Sequence, residues 1–204
     1  MPSPVGHSLI GLAIGAGYLL PRQPARDLVK SSRAMRWSLL GAAALANVSD
    51  LDYLPGMVSG DLNAYHHLYT HTIGWVVLVA VATWLVRRWF CSGAGWRVFA
   101  FVFALLASHL VADWFTADGR LPYGIMALWP FSNDFTMAPW PVFMRLYKRE
   151  WSEFLQWHNA LAVGWEVLVC APMIAAAAVW KTRLFRDATW DVFREKQTRD
   201  EGLV

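Results

Sequence analysis

His109 and Asp113 close the long apolar run Val98–Phe115 and stand four residues apart, so on a helix their side chains share one face, about one turn from each other. A neutral imidazole and a carboxylate at that spacing can hold one divalent metal between them. Groups of the same two kinds fall at the ends of the other apolar runs: His7 before the first, Asp50 and Asp52 after the second, His66, His67 and His71 before the third, and His158 at the head of the last. Imidazole nitrogen with carboxylate oxygen is the donor set of zinc and related ions in hydrolytic sites, where the metal lowers the pKa of bound water to ~7 and polarises the substrate oxygen. His7, Asp50, Asp52, His66, His71, His109 and Asp113 are therefore the candidate ligands of a divalent metal, zinc first. Asp50 and His67 are the candidate catalytic groups.

Taken singly, each residue has an ordinary explanation. His7 can cap a helix, Asp50 and Asp52 can end a span ahead of Pro55, the His66–His71 cluster can be a polar patch beside Tyr65 and Tyr69, and His109 can simply bond Asp113. The shared location is the signal, because ionisable groups at membrane depth are costly and several in one bundle mark a function.

Membrane helices are the elements that must bring these residues together. Of 204 residues, 56% are hydrophobic and only 16% charged, and the mean hydropathy is positive, whereas a soluble domain is ~45–50% apolar. The formal charge of +3 comes from basic clusters between the apolar runs, a pattern that orients a chain in a bilayer and lends nucleic-acid binding little support. Cys91 lies in a basic loop and Cys170 in an apolar run, so neither a disulfide framework nor a thiolate metal site is expected. No basic region precedes the first apolar run, so no cleaved signal peptide is expected and the chain reads as complete.

Five runs are expected to be helical: Ser8–Leu20, Trp37–Val48, Ile73–Leu85, Val98–Phe115 and Ala160–Trp180. The first two are short against the ~20 residues that a crossing needs, but Gly11, Gly15, Gly17, Gly41 and Ala42–Ala44 allow them to pack as a close hairpin. Basic loops stay in the cytoplasm, which puts Arg22–Arg36, Arg87–Arg97 and the tail from Lys181 on one side. All six histidines then fall on the other side, with the N-terminus, while the C-terminus is cytoplasmic. The expected fold is all-α: a polytopic bundle of about five helices over residues 1–186, then a polar cytoplasmic tail, 187–204.

In the loop before the last run, Phe143, Met144, Tyr147, Trp151, Phe154 and Leu155 recur at helical spacing opposite Arg145, Lys148, Arg149, Glu150 and Glu153, which predicts an interfacial amphipathic helix. Trp129, Trp140 and Trp157 suit the headgroup layer beside it. Arg145, Lys148 and Arg149 are candidates to bind a substrate phosphate, although a solvated or headgroup-facing helix face is the plainer explanation. Glu166, two turns into the last run, reads equally as a functional group or as a protonated acid bonded to a backbone carbonyl. On one continuous helix His67 and His71 share a face while His66 and His71 are about 140° apart, so spacing favours His67 unless the backbone bends near Leu68.

The order of these motifs resembles that of the predicted membrane-bound metal-dependent hydrolases of bacterial inner membranes, of the LexA-regulated type. The matching residues are His7, Asp50-Leu51-Asp52, His66 through Thr70-His71, His109 to Asp113, and Gly124 with Trp129-Pro130-Phe131-Ser132, over Met1 to Ser132. The resemblance implies a helical membrane protein with a divalent metal and a hydrolytic role, and it carries over His66 with His71 as the pair. A more distant similarity in ligand order, to zinc-dependent phospholipase C, implies phosphodiester chemistry. His67, Leu68 and Ser49 replace the Arg, Gly and Pro usual in the pattern, and Ala162 stands where a phospholipase-like order has Glu, which leaves the number of metals open. The expectation is a multi-pass inner-membrane hydrolase that acts at the non-cytoplasmic surface on a phosphoester of a lipid or lipid-linked substrate. Its rivals are a metal or proton carrier, whose ligands would sit near the bilayer midplane, and a non-enzymatic membrane partner protein.

Overall fold

The computed structural model describes residues 1–19, 33–61, 64–91, 95–119, 121–148 and 151–201. Among them the chain is all-helical, with six α-helices: α1 Pro4–Leu19, α2 Arg33–Leu45, α3 Tyr53–Ser59, α4 Ile73–Phe90, α5 Trp96–Trp114 and α6 Trp157–Glu201. Short 3₁₀ turns at Val48–Asp52, Tyr69–His71 and Trp151–Leu155 join or precede them. Helices α4 and α5 and the segment Trp157–Lys181 of α6 are long and apolar enough to cross a membrane, while α1 has 16 residues. Their outward side chains, among them Leu78, Val86, Trp89 and Leu168, are exposed, as hydrocarbon-facing residues must be.

Helix α1 packs between α2 and α6 and also reaches α5, and α4 pairs with α5. Small residues make the first contact possible. A Cβ on Gly11 would lie 2.7 Å from the Ala46 Cβ, and one on Gly15 would lie 2.9 Å from that of Ala42, so any larger residue would push the helices apart. Gly41 faces open space and Gly17 only reaches Trp180, so these two glycines do not serve the close approach. Leu105 of α5 fills the space against Ala42 and Ala46, and its neighbour Leu106 joins Val76, Ala80, Val102 and Leu110 in the α4–α5 core.

The amphipathic helix expected over Phe143–Leu155 does not form over its first half. Phe143 is paired with the end of α5 instead: its amide donates to the Phe115 carbonyl (3.1 Å) and its carbonyl accepts from Ala117 (3.0 Å). With those groups engaged across the chain, residues 144–148 run without helical structure, and only Trp151–Leu155 turns, as a 3₁₀ segment. Arg149 and Glu150, like Arg22, Arg26 and Lys30, lie outside the described residues.

The loop 116–148 covers the end of the bundle where α1, α4 and α6 begin and α5 ends. It also completes α4. Thr72 caps that helix by accepting from the Trp75 amide (3.1 Å), and the amides of Ile73 and Gly74 donate to the carbonyls of Ala127 (2.8 Å) and Trp129 (3.1 Å). His71 is thus tied down immediately before the first turn of a membrane helix.

Candidate metal centre

The last turn of α5 presents His109 and Asp113 inward on one face, as their spacing demands. The turn before α4 brings His71 to the same point, and the turn after α2 brings Asp50. The Nε2 atoms of His71 and His109 are 3.1 Å apart. Asp113 Oδ2 lies 3.3 Å from the first and 3.2 Å from the second, and Asp50 Oδ1 lies 3.5 Å from each. A divalent ion bonding at ~2.0–2.2 Å in a tetrahedron sets its donor atoms ~3.3–3.6 Å from one another. The separations that the two Nε2 atoms make with each other and with the carboxylates, 3.1–3.5 Å, are close to that.

Their hydrogen-bond partners orient them. His109 Nδ1 is 2.7 Å from the Ala46 carbonyl, which can only accept. His71 Nδ1 is 3.1 Å from Asp52 Oδ2 and 3.0 Å from Thr70 Oγ1, and the Thr70 hydroxyl donates its own proton to Asp52 (2.6 Å). Both Nδ1 atoms are therefore placed to donate, which directs each Nε2 into the cluster, where it offers a lone pair once unprotonated. Facing them, the carboxylate oxygens of Asp50 and Asp113 are buried, with imidazole nitrogens 3.2–3.5 Å away. Such an arrangement calls for positive charge, which a protonated imidazole or a metal ion can supply. Burial pushes the His71 pKa down, but bonds to Asp113, Asp50 and Asp52 overcome it and hold the pKa well above its ordinary value. A proton thus does there what a metal ion would do, and metal binding would release it.

His7 enters from α1. Its Nε2 is 3.4 Å from Asp113 Oδ1, its ring stacks on that of His109 with centroids 3.7 Å apart, and neither of its nitrogens has a hydrogen-bond partner. Glu166 of α6 fixes the start of α1. Its carboxylate accepts from the amides of Ser3 (2.7 Å) and Gly6 (3.1 Å) and from the Ser3 hydroxyl, so it satisfies orphan donors at the positive end of the helix. Its partners are donors and not the backbone carbonyl that one of its two readings gave it, and it belongs to none of the candidate ligand groups.

The segment from His66 to His71 is not one helix. His67 has φ +67°, and the backbone reversal there separates the two histidines. His66 turns inward, with Nδ1 2.8 Å from Asp52 Oδ1, and can share a metal with Asp50 and His71. His67 turns away from the cluster. Its Nε2 is buried without a partner and its Nδ1 is 4.0 Å from Asp118 Oδ2. Burial pushes both histidines well below their ordinary pKa, so both are neutral.

Beside this face lies a cavity of about 480 Å³, lined by His66, His67, Asp118, Arg145, Tyr147 and Lys148 among others. The Lys148 Nζ sits 4.9 Å above the Tyr53 ring and bonds its hydroxyl, and Tyr53 stacks on His66 at 4.1 Å. Burial pushes the Lys148 ammonium down to about 8. Arg145 lies 4.8 Å over the Tyr147 ring and donates to its hydroxyl (3.0 Å). His158 stands apart, donating to the Arg145 carbonyl (2.9 Å). Asp118 and Tyr53 carried no distinguishing signal in the sequence: one reads as a loop acid before a glycine, the other as one aromatic among many. The Ala46 carbonyl is beyond any sequence pattern.

No solved structure matches the chain. The inner membrane protein YbcI of Escherichia coli (strain K12) is 30% identical over 146 residues, which cover 70% of this chain and 75% of that protein. A family model described as YdjM inner membrane protein matches residues 1–184. That match takes in every helix from α1 to α5 and the crossing part of α6, so the chain belongs to the YdjM family of inner membrane proteins.

Proposed function

We propose that the protein is a metal-dependent hydrolase that cleaves a phosphoester of a lipid or lipid-linked substrate at the non-cytoplasmic surface of the inner membrane. The observation that carries this reading is the four-atom cluster of His71, His109, Asp113 and Asp50, whose separations and lone-pair directions suit a divalent ion. Such an ion, zinc first, supplies Lewis-acid polarisation of a phosphoryl oxygen and acidifies water when bound.

The chain's own groups do the rest. Arg145 and Lys148 bring cationic donors to the cavity beside the cluster, and the planar fork of Arg145 suits a phosphate. His67, neutral and lining the same cavity, would take the proton from the attacking water, with Asp118 4.0 Å from its Nδ1. Around this end, Leu51, Leu54, Val58, Leu121, Phe131 and Leu155 are exposed on elements that do not cross the membrane, as a surface seated in the headgroup and acyl boundary needs. Arg87 and Arg88 end α4 at the opposite end of the bundle, which supports a cluster facing away from the cytoplasm. Ligands at helix ends also favour hydrolysis over transport, for which a midplane site is usual.

The test is hydrolysis in mixed micelles by the purified protein, stripped and zinc-loaded, with a glycerophospholipid diester and a phosphatidate as substrates. Zinc-dependent release of headgroup or phosphate, lost in His109→Ala, is expected. Fully loaded protein that turns over neither substrate overturns the proposal.

A further inference from the structure

We infer that the centre is dinuclear: His7 holds a second divalent cation that shares Asp113 and Asp50 with the first. This rests on the metal reading of the cluster and deepens it.

Three features point there. The two oxygens of Asp113 face different nitrogens, Oδ2 toward His71 and His109 (3.3 and 3.2 Å) and Oδ1 toward His7 (3.4 Å). A carboxylate serving one ion in bidentate fashion would turn both oxygens to the same place, whereas this division is that of a bridge. His7 is 1% exposed, yet neither ring nitrogen has a hydrogen-bond partner among the described residues. A histidine buried only for packing keeps at least one of them satisfied. Asp50, finally, has a second carboxylate oxygen that is buried and unpaired, and His7, Asp50 and His109 offer donor atoms all within 4.8 Å of one another.

The two sites differ in strength. The first has two imidazoles and two carboxylates. The second has one imidazole and shared oxygens, so it binds more weakly, keeps open positions, and is oxygen-rich enough to take Mn²⁺ as well as zinc. Two ions held between the shared carboxylates would suit a phosphoester, since a pair of Lewis acids can stabilise both the entering and the departing oxygen of a displacement.

Metal counting and paramagnetic resonance test this without any assay of activity. Wild-type protein in detergent, titrated with Mn²⁺, is expected to take up two ions per chain, the second lost on dialysis, with the six-line signal of an isolated ion giving way to that of a spin-coupled pair. His7→Gln is expected to stop at one tightly held ion. One ion in both proteins overturns the dinuclear centre and leaves the first site standing, and no ion in wild type overturns the metal reading itself. Should His7→Gln fail to fold, an isolated-ion spectrum of wild type at saturating Mn²⁺ overturns the inference by itself.

Discussion

The Nε2 atoms of His71 and His109 face each other at 3.1 Å, while each ring directs its Nδ1 to Asp52 or to the Ala46 carbonyl. Two nitrogens so opposed define the proposed metal site more sharply than the number of histidines does. His71→Ala and His109→Ala are each expected to lose the tightly held ion. Asp52→Asn keeps the first-site donors but weakens their orientation, at a cost of ~10–100-fold in affinity. Competition titration against a zinc chelator measures both effects, and an unchanged affinity in Asp52→Asn would remove Asp52 from this role.

Chelation should loosen the fold, since only the folded chain assembles donors from α1, α5 and two separate turns. Stripping the metal is expected to lower the thermal midpoint in detergent, by an amount that corresponds to ~4 kcal/mol when free metal stands a thousandfold above its Kd. Zinc should restore the midpoint. His109→Ala, already without the ion, should not respond to chelator; an equal response in both proteins would speak against the site.

Glu166 anchors α1, and through it His7, by accepting from Ser3 and Gly6. Glu166→Gln keeps the shape but loses the charge, for an expected destabilisation of ~1–2 kcal/mol. Gly6→Ala should cost more, because its Cβ would fall 2.8 Å from Glu166 Oε2. Thermal melts of the two variants check the order, and a Gly6→Ala protein as stable as wild type would contradict the anchor.

Gly124 adopts φ +89°, and a Cβ there would lie 2.2 Å from the Thr136 carbonyl oxygen, a backbone atom that cannot swing aside. Gly124→Ala is expected to cost ~3 kcal/mol or more and to loosen the loop that ties down the start of α4. Gly74→Ala meets only the rings of Trp129 and Pro130, at 3.0 and 3.1 Å, and should cost less, ~1–3 kcal/mol. Protease susceptibility of the 116–148 loop gives the readout; equal resistance in both variants would refute the ranking.

Lys148 imposes a pH dependence on stability. Its folded pKa is depressed to about 8 by burial, whereas the unfolded chain keeps that proton up to ~10.4. Between those values the unfolded state binds more protons, so stability rises with pH through the window and is flat with respect to this group below it. Lys148→Met is expected to be favoured over wild type near pH 7, with a difference in melting temperature that shrinks toward pH 10.5. Parallel curves would show that Lys148 does not sit with its charge desolvated.

Much of this protein is local in origin and was legible in the amino-acid order. Apolar runs mark the helices, His109 and Asp113 must share a face of α5 because a helix turns every 3.6 residues, and Gly11 and Gly15 announce a close helix contact borne out against Ala46 and Ala42. What tertiary structure alone decided is which distant groups meet. Helical spacing favoured His67, but with a positive φ at that residue it is His66 that joins Asp50 and His71 as a possible ligand, while both histidines line the cavity. Residues 144–148 had the periodicity of a helix and lost it because the backbone of Phe143 pairs with Phe115 and Ala117. Glu166, read equally as a functional group or as an acid bonded to a backbone carbonyl, found donors at the start of α1. Periodicity governs a residue's neighbours within a turn or two, while backbone reversals and cross-chain hydrogen bonds, invisible to it, choose the partners across the bundle.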